Sequence, residues 1–260
     1  MIDTTQRKFF HENGYLILKK YIQLSSLEEF KKGILVMVKK CLKTSKNISL
    51  NEAFLKLEKK SHRDVYVVQK AMATCFQSLK IVASLKLDQI HSKLYSVDPV
   101  KVHTQLLQTP VHFPRDDRFD HEWHQESGSY VGFSNMLSVW FPILYDHNEK
   151  NGSVSFIPKS HKNGTRKTHY HIKPSGLNDF YVKINKKELS NSEIAELKPG
   201  DVLMFSEDLI HKSLINKSNK IRLTGILRSL DMCSQKSLNV IADQINIEHT
   251  KHRYQIKLGK

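Results

Sequence analysis

Cysteine, tryptophan, proline and glycine are all scarce in this chain of 260 residues: 3, 2, 7 and 10 respectively. Cys41, Cys75 and Cys233 are odd in number and far apart. They exclude a disulfide framework and a Cys-x-x-Cys metal knuckle, and the expectation is thiols in a reducing compartment. No apolar run approaches the ~20 residues that span a bilayer. The opening Met1-Ile2-Asp3-Thr4-Thr5-Gln6 lacks the basic-then-apolar pattern of a secretory signal, so a cytoplasmic setting is expected. Gly-x-Ser-x-Gly, Walker and dinucleotide fingerprints are missing, which removes the nucleophile-elbow hydrolases and the common nucleotide folds. Acid is the scarcer charge, with 26 Asp and Glu against 41 Lys and Arg, a net charge of +15. A basic surface attracts phosphates, carboxylates or nucleic acid. The excess is mostly scattered lysine, without an Arg-rich arm, zinc-finger spacing or an aromatic-basic RNA motif, so no nucleic-acid partner is expected. Two readings stay open: a solvated lysine-rich surface, or a preference for an anionic small-molecule substrate.

Neither glycine nor proline occurs between residues 50 and 98, and the first third reads as helical. Thr4 or Thr5 is placed as the cap of a first helix carrying Phe9, Phe10 and Glu12, which Gly14 ends. Tyr15-Leu16-Ile17-Leu18 is a run of strand length. Ser25-Ser26-Leu27-Glu28-Glu29 reads as a capped helix start, followed by Phe30, Ile34, Leu35 and Val38 at helical spacing. The pattern changes near Pro99. Short strand-like runs follow, at Val102 to Leu107, Met136 to Phe141, Val154 to Ile157, Val202 to Phe205 and Leu223 to Leu227. Turn signals separate them: Lys150-Asn151-Gly152, Asn163-Gly164, Pro174-Ser175-Gly176 and Pro199-Gly200-Asp201. Many short strands at this spacing predict a sandwich or barrel. The expected layout is one domain: a helical scaffold over 1–98, a β core over 99–230, and an extension over 231–260, whose last stretch, 239–260, reads as a helix and a basic tail.

Asp120-His121-Glu122-Trp123-His124-Gln125-Glu126 carries the chemistry. On a strand, residues two apart share a face, which would project His124 and Glu126 together. A distant histidine would complete a facial triad, leaving three positions open on an octahedral iron. His211, after the strand-like run opened by Pro199-Gly200-Asp201, is the candidate. Arg222 follows, and its two parallel donors suit the far carboxylate of a dicarboxylate. With 14 histidines in the chain, a His-x-Glu pair alone is weak, and its neighbours give it weight.

Here the chain resembles the phytanoyl-CoA dioxygenase family. Phe9-Phe10-His11-Glu12-Asn13-Gly14-Tyr15-Leu16-Ile17-Leu18 looks like the family's opening segment, and Trp123-His124-Gln125-Glu126 like its first metal motif. Asn151-Gly152-Ser153-Val154-Ser155-Phe156-Ile157-Pro158-Lys159-Ser160-His161 is similar to its central signature. Pro199-Gly200-Asp201-Val202-Leu203-Met204-Phe205, His211-x-Ser213 and Arg222 look like its closing motif. The resemblance implies a double-stranded β-helix (jelly-roll) core with N-terminal helices, mainly β in class. It implies iron(II) on His124, Glu126 and His211, with 2-oxoglutarate and dioxygen as co-substrates. Arg222 would bind the far carboxylate, supported by Ser213, while Gln105 and Trp140 fall on strands that line the family's site. The implied reaction hydroxylates an unactivated C–H bond of a small metabolite, releasing succinate and CO2. The family usually carries aspartate where this chain has Glu126. Retaining a carboxylate argues against a halogenase.

Other features read as structural or open. His161 would close its own turn. His169 and His171 flank Tyr170 in what reads as an exposed loop. Segments 45–62 and 166–187, where substrate would be selected, carry no legible motif. Arg115, Arg118, Lys159, Lys162, Arg166 and Lys167 are the candidates for a basic mouth, and Lys212 or Arg228 the fallback for the carboxylate. Two rival classes remain: a metal-dependent enzyme using the same His/Glu/His set without 2-oxoglutarate, and a non-catalytic jelly-roll binding protein.

Overall fold

The computed structural model describes residues 2–118, 120–129, 135–234 and 237–238. The stretch 239–260, expected as a helix and tail, lies outside them. Six helices and one strand fill the first part: α1 (Thr4–Asn13), β1 (Tyr15–Leu18), α2 (Leu24–Leu42), α3 (Leu50–Lys60), α4 (His62–Ala73), α5 (Phe76–Ser84) and α6 (Leu87–Tyr95). The cap of α1 is not Thr4 or Thr5 but Asp3, which accepts from the Gln6 backbone while the Gln6 side chain accepts from Asp3. Only Asp3 has a glutamine three residues on; Arg7 and Lys8 stand at that spacing from Thr4 and Thr5, so neither threonine could form the reciprocal box. α2 starts at Leu24, with Gln23 before it and no side-chain cap, so the serines that suggested a capped start sit inside its first turn. Its buried residues, Leu27, Phe30, Ile34 and Val38, recur at helical spacing and hold it by packing. Each such side chain contributes about 1.5–3 kcal/mol. Ser49 and Ser61 cap α3 and α4. Gly14 ends α1 in the left-handed region, φ 83°, and a side chain there would overlap the His161 ring.

From residue 102 onward come β2 (Val102–Thr104), β3 (Val111–His112), α7 (Glu126–Ser129), β4 (Leu137–Pro142), β5 (Val154–Phe156), β6 (His169–Ile172), β7 (Asn178–Tyr181), α8 (Lys186–Ser190), β8 (Glu193–Ile194), β9 (Val202–Ser206), β10 (His211–Ser213) and β11 (Arg222–Asp231). One wall is a six-stranded sheet ordered β1-β9-β4-β11-β2, with β3 also on β11. Its named pairings are antiparallel.

The opposite wall is assembled from shorter pieces. β10-β5-β8 form one sheet and β6-β7 a hairpin. The segment around His124 joins them: the Val182 amide donates to Trp123 O (2.7 Å), and His124 and His211 exchange backbone bonds of 2.8 and 3.0 Å. Side-chain alternation assigns the layers. Val139, Phe141, Leu223 and Leu227 pack against the helices. Trp140, Leu203, Phe205 and Ile226 pack against Val154 and Phe156 of the other wall. Two facing antiparallel walls with helices behind one of them form a jelly-roll core.

His169 and His171 do not lie in a loop. They sit on β6, where His169 stacks on Tyr181 of β7 at 5.3 Å. The His161 ring does not close its own turn but ties it to α1, its Nε2 lying 3.1 Å from His11 O.

Candidate metal centre

His124 and Glu126 reach a common point without sharing a strand face. His124 forms an isolated bridge to His211, and Glu126 opens the single turn of α7. The alternation expected for these two residues is therefore corrected: the chain leaves extended geometry between them, and a helical turn aims the carboxylate. His211 begins β10 on the adjacent strand. One ligand atom from each of the three residues lies within 4.8 Å of the others, and all three residues are buried. Glu126 Oε1 is 3.8 Å from His211 Nε2.

Backbone carbonyls set the tautomers. His124 Nδ1 is 2.6 Å from Glu122 O, and His211 Nδ1 is 2.9 Å from Leu209 O. A carbonyl only accepts, so each Nδ1 carries the proton and each Nε2 keeps its lone pair. Burial holds both imidazoles below their usual pKa, which keeps them neutral. Burial works against ionising Glu126, but Arg228 outweighs it and holds the carboxyl well below its usual range. Arg228 clasps Glu126 with two bonds, Nη2 to Oε1 at 2.8 Å and Nε to Oε2 at 3.1 Å. Two neutral imidazole nitrogens and one carboxylate form the donor set that suits iron(II).

Arg222 lies at the start of β11, fully buried. Its Nη1 donates to Leu214 O (2.6 Å) and its Nη2 meets Asp120 Oδ1 at 3.4 Å. Burial draws the guanidinium down to about 10, and Asp120 opposes this. Gly152, at φ 79°, admits it, because a Cβ there would overlap Nη1. Trp140 packs in the core between the walls and lies 6.0 Å from the Arg222 carbon, so it serves packing and the site's surroundings together. Arg222 Nε, Thr224 Oγ1 and Ser138 Oγ are buried and have no hydrogen-bond partner among the described residues. Buried polar atoms normally find partners, and a dicarboxylate beside Arg222 would supply them.

Ser213 falls two residues after His211 on β10 and borders a cavity of about 400 Å³ with Asp120, His121 and Lys173. Gln105 follows β2. Its amide donates to Arg228 O (2.9 Å), and its side-chain oxygen is buried and unmatched. Three of the six residues expected at a basic mouth are in ion pairs. Arg118 pairs with Asp116 and Glu58, Arg166 with Glu188, and Lys159 approaches Glu12 at 3.8 Å.

Sequence reasoning assigned no role to Asp120 and gave Arg228 only as a fallback. Arg222, Thr224, Ile226 and Arg228 alternate along β11, and that period of two was the available signal for Arg228. Asp120 had none, since its partner is 102 residues away.

A family model described as phytanoyl-CoA dioxygenase (PhyH) matches residues 10–224. The chain belongs to this family. It is therefore an iron(II)- and 2-oxoglutarate-dependent dioxygenase. The probable phytanoyl-CoA dioxygenase of Caenorhabditis elegans is 23% identical over 234 residues, covering 85% of this chain and 73% of that protein. The peroxisomal enzyme of Bos taurus is 22% identical over 241 residues, covering 85% of this chain and 66% of its own length. Among solved structures, EvdO2 from Micromonospora carbonacea var. aurantiaca complexed with 2-oxoglutarate shares the fold. It superposes with a TM-score of 0.63 at 14% identity, covering 89% of this chain and 91% of that one. Among the described residues, no helix is long and apolar enough to cross a membrane.

Proposed function

We propose that His124, Glu126 and His211 hold iron(II), and that Arg222 binds the far carboxylate of 2-oxoglutarate. One observation carries this reading. A three-residue donor set and a fully buried arginine with an unmatched Nε share one barrel interior. When bound, iron(II) with 2-oxoglutarate and dioxygen supplies the oxidising power to hydroxylate an unactivated C–H bond, releasing succinate and CO2.

The residues have distinct tasks. The carbonyls of Glu122 and Leu209 orient the two imidazoles. Arg222 fixes the co-substrate's reach with two parallel donors. Thr224, Ser138, Ser213 and Gln105 line its path with hydroxyl and amide groups. Trp140, Phe205 and Phe156 exclude water. The substrate in this reading is a small molecule, and the +15 charge favours an anionic one. The ion pairs of Arg118 and Arg166 leave Arg115, Lys162 and Lys167 as the arginines and lysines to steer it. We place the enzyme in the cytoplasm, and its three free cysteines fit a reducing compartment.

The test is anaerobic purification with metal analysis, followed by 2-oxoglutarate-dependent succinate release across candidate acids. Stoichiometric iron(II) with substrate-stimulated succinate is expected. Turnover that needs zinc and ignores 2-oxoglutarate would defeat the assignment.

A further inference from the structure

We infer that Arg228 is a positioning residue that holds the longer Glu126 side chain in the place a shorter carboxylate ligand would reach unaided; this rests on the metal-centre reading above. The residues resembling the family's first metal motif carry glutamate where aspartate is usual. The extra methylene adds one rotatable bond, and each added bond gives a carboxylate more positions away from the metal. Arg228 removes that freedom. Its Nη2 and Nε bind Oε1 and Oε2 in a side-on fork at 2.8 and 3.1 Å, the geometry in which guanidinium and carboxylate planes fix one another. The side chains of both residues are about nine-tenths buried, at 11% and 7% exposure, so water competes little for either.

The arginine is itself held. It lies within the ten-residue strand β11, paired to Ser138 of β4 across the sheet. Serine is small enough to leave the space through which a long side chain passes. On its other side the Arg228 carbonyl accepts from the Gln105 amide. Glu126 has weaker support of its own, because α7 is a single turn. A rigid strand thus positions a ligand that a short turn presents. Each carboxylate oxygen keeps a lone pair after the fork forms, and Oε1, the oxygen nearer His211, remains able to ligate. Arg222 and Arg228 are thereby assigned to different partners, the co-substrate and the metal's carboxylate.

The experiment is a double-substitution cycle read by metal affinity, with apoprotein titrated anaerobically with iron(II) and with cobalt(II), whose absorption reports ligand geometry. Arg228→Gln should weaken metal binding about 10–100-fold, as loss of a group orienting a metal ligand does. Arg228→Lys should recover part of it. The same Arg228→Gln change made together with Glu126→Asp should cost less than threefold, because the shorter carboxylate does not rely on the fork. Wild-type-like metal affinity in Arg228→Gln with a raised 2-oxoglutarate requirement would overturn the inference and make Arg228 a co-substrate residue. Unchanged affinity with only a lower melting temperature would overturn it in favour of a simple brace. If the wild-type apoprotein bound neither metal, the metal-centre reading itself would fall, which the cycle distinguishes from failure of the Arg228 assignment.

Discussion

The two walls of the barrel differ in how they are built. The wall containing β4, β9 and β11 is regular, pairs strand to strand over up to six residues, and has helices behind it. The wall carrying His124 and His211 is held by three-residue strands and an isolated bridge. Its ligands depend on one helical turn and on backbone carbonyls. The regular wall contributes rigidity and two inward arginines. The broken wall contributes the ligands, because a break in alternation allows His124 and Glu126 to converge. Strand geometry alone would have placed the pair differently.

The largest test of this division removes a ligand from the broken wall. His124→Ala should abolish retained iron(II) and all 2-oxoglutarate turnover, measured by metal analysis and succinate release. Its unfolding free energy should also fall, by about 1–3 kcal/mol, because a buried ring bonded to the Glu122 carbonyl is removed. Phe141→Ala in the regular wall is the converse. Phe141 is fully buried against the helices, so denaturant unfolding should show a loss of about 3–5 kcal/mol. Metal affinity at low temperature should stay within threefold of wild type. If Phe141→Ala loses metal as readily as His124→Ala, the two walls are not separable.

Arg222→Ala tests the regular wall's chemistry. It should raise the 2-oxoglutarate requirement by the equivalent of about 2–5 kcal/mol, while iron binding is retained. An unchanged requirement would move the carboxylate to Lys212 or Arg228.

The smallest effect is a pH dependence at the helix-to-sheet contact. His91 of α6 is buried beside Ser229 of β11, Nδ1 to Oγ 2.9 Å, and burial holds its pKa down to about 4 while Asp231 opposes this. The unfolded chain binds that proton near pH 6.5 and the folded chain only near 4. Between those values the unfolded state takes up more protons, so stability is present above pH 6.5 and is lost as pH falls toward 4. By pH 5 the loss from this group is about 2 kcal/mol. His91→Gln should flatten the difference in unfolding free energy between pH 7 and pH 5 by that amount. An identical slope in the variant would show that other buried histidines, His147 among them, carry the acid sensitivity.

Much of the plan was legible along the chain. Helical spacing of Leu27, Phe30, Ile34 and Val38 located α2, and the apolar runs at 136–141, 154–157 and 202–205 fell on β4, β5 and β9 to within a residue. His124, Glu126 and His211 stood out by residue type and by their accompanying motifs. The cap at Asp3 was missed because Thr4 and Thr5 are also good caps, and only the reciprocal bond to Gln6 decides between them. Histidines 169 and 171 read as loop because the alternation on β6 is inverted, with the histidines half-buried and the apolar Tyr170 and Ile172 exposed.

By itself, the sequence determined which side chains are available: two imidazoles and a carboxylate for a metal, and two arginines six residues apart, an even spacing that puts both on one face of a strand. Periodicity and residue chemistry are local, so they can be read locally. Tertiary structure alone decided the pairings. Asp120 meets Arg222 and Arg228 clasps Glu126 across 102 residues of chain each. Carbonyls of Glu122 and Leu209 choose the tautomers, and Gly152 clears space for a guanidinium from β11. The carbonyls lie only two residues before their histidines, but the other contacts depend on distances between segments that no local pattern encodes, and burial is what gives the charges their strength.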